Sequence, residues 1–299
     1  MEQITAHIVR HAQVLAREIG ARAVIIYADA VYGDGQLRGL LQSVDLPLVL
    51  VTRSTEAGVQ HADPSHTTWV TVPDVRMTRA GQVKAALLVC LARGVLQRGD
   101  RVVCLTGVDG SRSIDMLLVL NVGTEPELFS SLLDSVVLPE DVRPEVFERV
   151  LTLATQLAVE GREGRPVGTL FVLGDSERVL AQSRRLVLNP FQGHPEEERN
   201  LLDPAVGETI KEFSALDGAF VVRGDGVVLA AGTMLVPNAL HGRLPGGLGT
   251  RHAAAAGITA STDAVSLCVS QSTGTVSVFK AGKLVTELQR PSNGSRLAI

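Results

Sequence analysis

Apolar residues recur along this chain with two different periods, and the switches between them mark out its elements. In "MEQITAHIVRHAQVLAREIG", Ile4, Ile8, Ala12, Leu15 and Ile19 fall on one face of a 3.6-residue helix, which predicts a helix over 3–19. Short continuous apolar runs follow. "AVIIYA" at 23–28, "LPLVLVT" at 46–52 and "TTWVTVP" read as strands, with a polar segment and "LRGLL" between the first two. "TRAGQVKAALLVCLARGVLQ" predicts a long helix with Thr78 as its cap, and "DRVVCLTGV" and "SIDMLLVLNV" predict two more strands. Helices alternating with buried strands imply an α/β layer structure.

From Gly123 to Glu140 the strand pattern lapses, Pro126 and Pro139 appear, and the segment reads as a helical or mixed linker. "RPEVFERVLTLATQLAVEG" predicts a second long helix, "TLFVLG" a buried strand, "SERVLAQSRRL" a helix over 176–186 and "AVGETIKEFSAL" another helix. "GAFVVR" and "VVLAAG" are strands joined by the tight turn "GDG". After a glycine-rich stretch and an alanine helix come three closing strands, "DAVSLCVS", "TVSVFK" and "KLVTEL". The tail "QRPSNGSRLAI" carries no pattern and reads as disordered. No internal repeat is visible.

At 299 residues the chain suffices for two ordinary domains, and a 45% apolar content supplies their cores. Aromatics are only 3%, so Val, Leu and Ala must fill the interior. The net charge of −4 argues against a general nucleic-acid binder. Cys90, Cys104 and Cys268 sit far apart inside apolar runs, without metal spacing, and read as reduced core residues of a cytoplasmic protein. The N-terminus lacks a signal-peptide core, and no stretch is long and apolar enough to span a membrane.

"GGLGTRHAAAAGIT", at 246–259, places Arg251 and His252 on the first turn of the alanine helix. A helix N-terminus carries partial positive charge, so cations there call for a nearby anion. One reading is a phosphate cradle: Gly249 lets the backbone approach, Thr250 donates a hydroxyl hydrogen bond, and Arg251 forks onto two oxygens. The other is an ordinary helix start with a capping Thr and a solvated Arg. "LDGAF" puts Asp217 between a helix and a strand, with Gly218 bare enough for a ligand to approach; it also reads as a plain Asp-Gly turn. "VSQSTGT" offers Ser270 and Thr273 hydroxyls at a turn allowed by Gly274, and also reads as a hairpin loop. There is no GxxxxGK[ST] loop and no GxGxxG after a strand. The remaining histidines, His7, His11, His61, His66, His194 and His241, show no metal spacing and read as surface residues.

"LDGAF", "LGTRH" and "VSQSTG", in this order, resemble the nucleotide-binding motifs of diadenylate cyclase (DAC) domains: DGA, an RHR-type element and a Ser-x-x-Thr-Gly turn. "GRPVGTLFVLGD" resembles that domain's opening strand, so the resemblance covers about 145–288. "ARGVLQRGDRVVCLTGVDGSRSIDMLLVLNV" is similar to the last two strands of the pyruvate kinase C-terminal domain, a likeness extending over about 3–122, and the pairing resembles the archaeal-type diadenylate cyclases. The implied fold is α/β: a pyruvate kinase C-terminal-like domain over 1–125, then a DAC domain over 141–299 with a mixed central sheet flanked by helices.

The resemblance implies condensation of two ATP into cyclic di-AMP with release of two pyrophosphates, across a face-to-face dimer. It implies Asp217, Arg251 and His252 as catalytic residues, with Asp217 holding a divalent Mn²⁺ or Mg²⁺. Gly218, Ala219, Gly249, Thr250, Ser270, Thr273 and Gly274 would bind the nucleotide. The partners are then ATP, cyclic di-AMP and a second copy of the chain, with neither nucleic acid nor membrane. Two positions depart from the pattern: Ala253 stands where the RHR element has its second Arg, and Gln271 stands where many relatives carry an acid. These departures define the alternative, a catalytically silent ATP or cyclic di-AMP sensor.

Overall fold

The computed structural model describes residues 2–31, 46–53, 67–108, 111, 113–125, 128, 138–237 and 249–289. They belong to two compact units, Met1–Leu128 and Phe129–Gln289. The "LRGLL" segment, most of the 123–140 linker, residues 246–248 of the glycine-rich stretch and the tail beyond Gln289 lie outside the described residues.

In the first unit, helix α1 (Glu2–Glu18) precedes strands β1 (Ala23–Tyr27), β2 (Leu48–Thr52) and β3 (Thr67–Thr71). Helix α2 (Arg79–Ala92) leads to β4 (Arg101–Thr106) and β5 (Met116–Asn121). The sheet order is β3-β2-β1-β4-β5, parallel except for the β4–β5 pair. β1 and β2 are buried along their whole length, which is why they read as unbroken apolar runs. Val9, Ala12 and Ala16 of α1 pack on Val24, Ile26, Leu50 and Val103. Thr78 caps α2 by accepting a bond from the Gly81 N–H at 3.0 Å, as its position before the helix predicts.

The second unit begins with helix α3 (Pro144–Glu160) and strand β6 (Thr169–Leu173). Helix α4 (Ser176–Ala181), strand β7 (Ser183–Arg185), helix α5 (Pro204–Phe213), strands β8 (Ala219–Val222) and β9 (Val228–Leu235) follow. Helix α6 (Thr250–Ser261) leads to β10 (Val265–Val269), β11 (Val276–Lys280) and β12 (Lys283–Leu288). The mixed sheet runs β12-β11-β10-β6-β8-β9-β7, with only β6 and β8 parallel. Ala255, Ala256 and Ile258 of α6 bury against Leu170, Val172, Ala219, Cys268 and Phe279. Phe171, between Leu170 and Val172, turns to the other face and stacks on Phe220 at 5.1 Å. The small alanines of α6 let this helix lie close to the sheet, which brings its first turn to the strand ends.

One element differs from its predicted form. The helix expected over 176–186 ends at Ala181, and Ser183–Arg185 become edge strand β7, antiparallel to β9. Six residues make a marginal helix, only Val179 of α4 is buried, and the open edge of β9 offers a ladder of backbone bonds that the local pattern does not reveal.

Cys90, Cys104 and Cys268 are buried and free, in line with their reading as core residues. Burial pushes the Cys268 thiol up to about 12. Among the described residues no helix is long and apolar enough to cross a membrane.

Candidate active site

Three junctions of the second unit converge on the start of α6. The α5–β8 junction supplies Asp217, and the first turn of α6 supplies Thr250, Arg251 and His252. The β10–β11 turn supplies Ser270 to Gly274. Arg251 Nη2 donates to Asp217 Oδ1 at 3.1 Å. The anion that the misplaced cation calls for is therefore the chain's own carboxylate. The Asp217 side chain is 90% exposed and that of Arg251 31%, so the pair stands at a surface opening where a ligand can replace either partner.

Two clefts share this opening. A polar cleft of about 560 Å³ is lined by Gly249, His252, Ser270, Gln271 and Thr273. An apolar one of about 340 Å³ is lined by Leu170, Leu186, Ala219, Leu235 and Ala254, with Asp217 and Gly218. Thr250 and Arg251 belong to both walls. Gly249 is the N-cap of α6, and among the described residues no side chain caps the helix. The first N–H groups of a helix have no intrahelical partner, so this turn presents donors beside the polar cleft.

The turn after β10 is held by its own backbone: Ser270 N–H donates to Thr275 O and Gly274 N–H to Ser270 O, both at 2.9 Å. Gly274 sits at φ 64 and lines neither cleft; it permits the turn. Ser270 and Ser272 hydroxyls lie 3.3 Å apart at the cleft wall. Gln271 donates to Pro166 O at 3.2 Å, so this side chain is tied to the chain's own backbone.

Gly218 has φ +105, and a Cβ there would lie 2.5 Å from the Thr233 nitrogen. This glycine makes room for the chain's own strand β9, and it also lines the apolar cleft. His252 is 7% exposed, with its ring edge-on to Phe279 at 6.1 Å. Burial holds its pKa below the ordinary 6.5, against an opposing pull from Glu287. Near neutral pH it therefore offers an uncharged ring, and Arg251 supplies the positive charge.

That depression carries a pH signature. The unfolded chain binds this proton more readily than the folded one, so the stability contributed by neutral His252 is present above the unfolded value of 6.5 and lost as pH falls through the folded value. The melting-temperature gap between wild type and His252→Asn is expected to narrow as pH drops below about 6.5. A gap that stays constant from pH 8 to 5 would show an unshifted histidine.

Three residues in the site escape motif reading. Glu287 lines the polar cleft while accepting from the Ser277 hydroxyl at 3.0 Å. A Cβ on Gly168 would lie 3.0 Å from both Arg251 Nη1 and Gln271 Cβ, so a larger residue there would press on the arginine and on the turn after β10. Thr233 lines the apolar cleft from β9. The first and third come from strand positions with ordinary alternation, and nothing local marks them. Of the other histidines, His7, His11 and His194 are exposed, while His61, His66 and His241 lie outside the described residues. Among the described residues no three His, Cys, Asp or Glu side chains gather as a metal-binding group.

The family described as DisA bacterial checkpoint controller nucleotide-binding matches residues 156–284. A second, described as probable sensor domain DacZ_P, matches residues 5–129. A protein of Methanocaldococcus jannaschii named diadenylate cyclase is 36% identical, covering 71% of this chain and 67% of its own. One of the same name from Haloferax volcanii is 35% identical, covering 66% of this chain and 71% of its own. The solved structure of a DacA double mutant from Staphylococcus aureus is 25% identical with a TM-score of 0.30, covering 47% of this chain and 84% of that one.

Proposed function

This chain belongs to the diadenylate cyclase family, and from that premise we propose that paired copies of it join two ATP into cyclic di-AMP through the residues around Asp217 and Arg251. The observation that carries the reading is the contact between these two side chains at an opening shared by a polar and an apolar cleft. A nucleoside triphosphate has the same division: an apolar base and an anionic tail.

The triphosphate takes the polar cleft. Arg251 forks onto its oxygens, Thr250, Ser270 and Thr273 contribute hydroxyls, and the first N–H groups of α6 add their partial charge. The nucleoside enters the apolar cleft beside Ala219, with its ribose at Asp217. Asp217 accepts the proton of the 3′-hydroxyl as the new oxygen–phosphorus bond forms and pyrophosphate leaves. The reaction repeated in the opposite sense closes the ring.

The exposed Asp217 carboxylate beside the triphosphate cleft suits a hard divalent ion that arrives with the substrate, since magnesium commonly binds one or two carboxylates and phosphate oxygens. Asp217 would hold Mg²⁺ or Mn²⁺, and the ion would neutralise phosphate charge. Ser270 and Thr273 keep their hydroxyls at the turn without it.

Two nucleotides need two sites, hence two chains. Support for a paired surface is the apolar patch along β7 and β9: Leu186, Leu188, Met234 and Val236 are all exposed, Leu188 by 91%. Leu186 and Met234 also line the apolar cleft, so the patch runs up to the nucleotide opening. A contiguous patch of this kind marks an association surface. Both Asp217 and Arg251 are present and in contact, which favours the enzyme over a silent sensor despite Ala253 and Gln271.

Purified protein with ATP and Mn²⁺ or Mg²⁺ is expected to yield cyclic di-AMP and pyrophosphate, read by chromatography. Unchanged ATP under both metals would overturn the reading.

For the first unit we propose the pyruvate kinase C-terminal-like fold that the sequence suggests, supported by its parallel strands and the closing antiparallel β4–β5 pair. We also propose that the second unit folds alone. Its working fragment should start no later than Leu138: Leu138 and Val142 are buried, and Pro139, Asp141 and Val142 all crowd Gly174. A fragment over 138–299 is expected to melt cooperatively, and one begun at residue 143 to melt lower. Equal melting temperatures would show that the 138–142 segment contributes no stability.

A further inference from the structure

Among the described residues of the second unit, two buried hydroxyls lack any hydrogen-bond partner, those of Thr169 and Thr233. A buried hydroxyl left unpaired is unfavourable, and each such group in a native fold calls for an explanation. The two threonines face different ways. Thr233 pairs directly with Ala219 across β8 and β9, so their side chains project from the same face of the sheet. Ala219 packs there against Ala255 and Ala256 of α6. Thr233, 2% exposed, lines the apolar cleft beside Asp217 and Ala254. Thr169 precedes Leu170, which faces α6. Strand alternation turns Thr169 the opposite way, and it lines neither cleft.

We propose that the Thr233 hydroxyl bonds to the polar edge of the purine base of bound ATP. The inference rests on the nucleotide reading of the site given above. The phosphates are accounted for by the polar cleft and the ribose by Asp217, so the base is what remains for the apolar interior. Leu170, Leu186, Leu235 and Ala254 suit its faces. Its nitrogens still need a polar partner once water is excluded. Among the described residues, Asp217, Thr250, Arg251 and Thr233 are the hydrogen-bonding side chains on this cleft, and the first three serve the ribose and phosphates. A threonine hydroxyl both donates and accepts, so it serves a ring nitrogen or the exocyclic amine. It turns toward the ligand by rotation about one side-chain torsion, with the backbone of β9 fixed.

The test uses 3′-deoxy-ATP, which lacks the attacking hydroxyl and so binds without reacting. Thr233→Val keeps the side-chain shape and removes the hydroxyl. Its dissociation constant, by calorimetry, is expected to rise about 3–10-fold, the range of one neutral hydrogen bond. The same rise is expected with 2′,3′-dideoxy-ATP, and none with ribose 5-triphosphate, which has no base. The melting temperature of unliganded Thr233→Val is expected to equal or exceed that of wild type, because the change deletes an unpaired group. Thr169→Val should likewise keep or raise the melting temperature and leave nucleotide binding unchanged. A rise confined to the ligand with a 2′-hydroxyl would assign Thr233 to the ribose and overturn the proposal. A lowered melting temperature would reveal a partner within the protein and overturn it too. Wild-type binding with an unchanged constant in Thr233→Val overturns this inference alone; wild-type protein that binds no nucleotide overturns it together with the reading it rests on.

Discussion

Asp217→Asn is expected to slow cyclic di-AMP formation by about 10²–10⁴-fold, the usual contribution of a positioned general base, while leaving the melting temperature nearly unchanged. The two effects separate because of where the side chain stands. It is 90% exposed, and its ion pair with Arg251 lies at the surface, where such pairs contribute about 0–1 kcal/mol. The amide keeps the size of the carboxylate but takes no proton and binds a divalent ion poorly. Arg251→Ala removes a charge-assisted contact to phosphate and is expected to cost about 1.5–3 kcal/mol, roughly 10- to 150-fold in rate. Product chromatography at saturating metal, beside a thermal melt of each variant, measures both quantities. An Asp217→Asn protein that keeps more than a tenth of the wild-type rate would remove Asp217 from the chemistry.

The sequence exposes this site because its parts are short and local. An Asp-Gly junction, a glycine before an alanine helix and a Ser-x-x-Thr-Gly turn each announce a strand end or helix start, and all three meet at α6. The fully buried strands β1, β2, β6 and β10 are equally legible, since a continuous apolar run has few other uses. What is hidden depends on the tertiary neighbours. Edge strand β7 exists because β9 has an open edge, a fact absent from "SERVLAQSRRL" itself. Gly218 reads in the sequence as a place where a ligand can approach, and nothing in "LDGAF" shows that β9 passes it as closely. The neutrality of His252 follows from its burial against Phe279, a residue of a different element. Gly168, Thr233 and Glu287 enter the site from strands or loops whose local patterns are ordinary.

Mixing damaged chains should show how two sites divide the work. On the proposed arrangement each ATP has its ribose at Asp217 and its triphosphate at Arg251 of the same chain, two side chains that lie 3.1 Å apart. The 3′-hydroxyl activated by Asp217 of one chain then attacks the α-phosphorus held by Arg251 of its partner, so each bond of cyclic di-AMP needs one group from each chain. A mixture of Asp217→Asn and Arg251→Ala chains, at high ATP, pairs one intact Asp217 with one intact Arg251. The first bond forms there, and the second, which needs both damaged groups together, does not. Linear pppApA is expected to accumulate above the level of either single variant, read by chromatography against ATP and cyclic di-AMP. Wild-type chains mixed with a large excess of the double variant behave differently. Most wild-type chains then sit opposite a dead partner, each bond lacks one of its two groups, and no accumulation of linear product is expected. If both groups of one chain instead served the same bond, the outcomes would exchange. Linear product from the wild-type and double-variant mixture, with none from the single-variant mixture, would therefore refute the division of each bond between two chains.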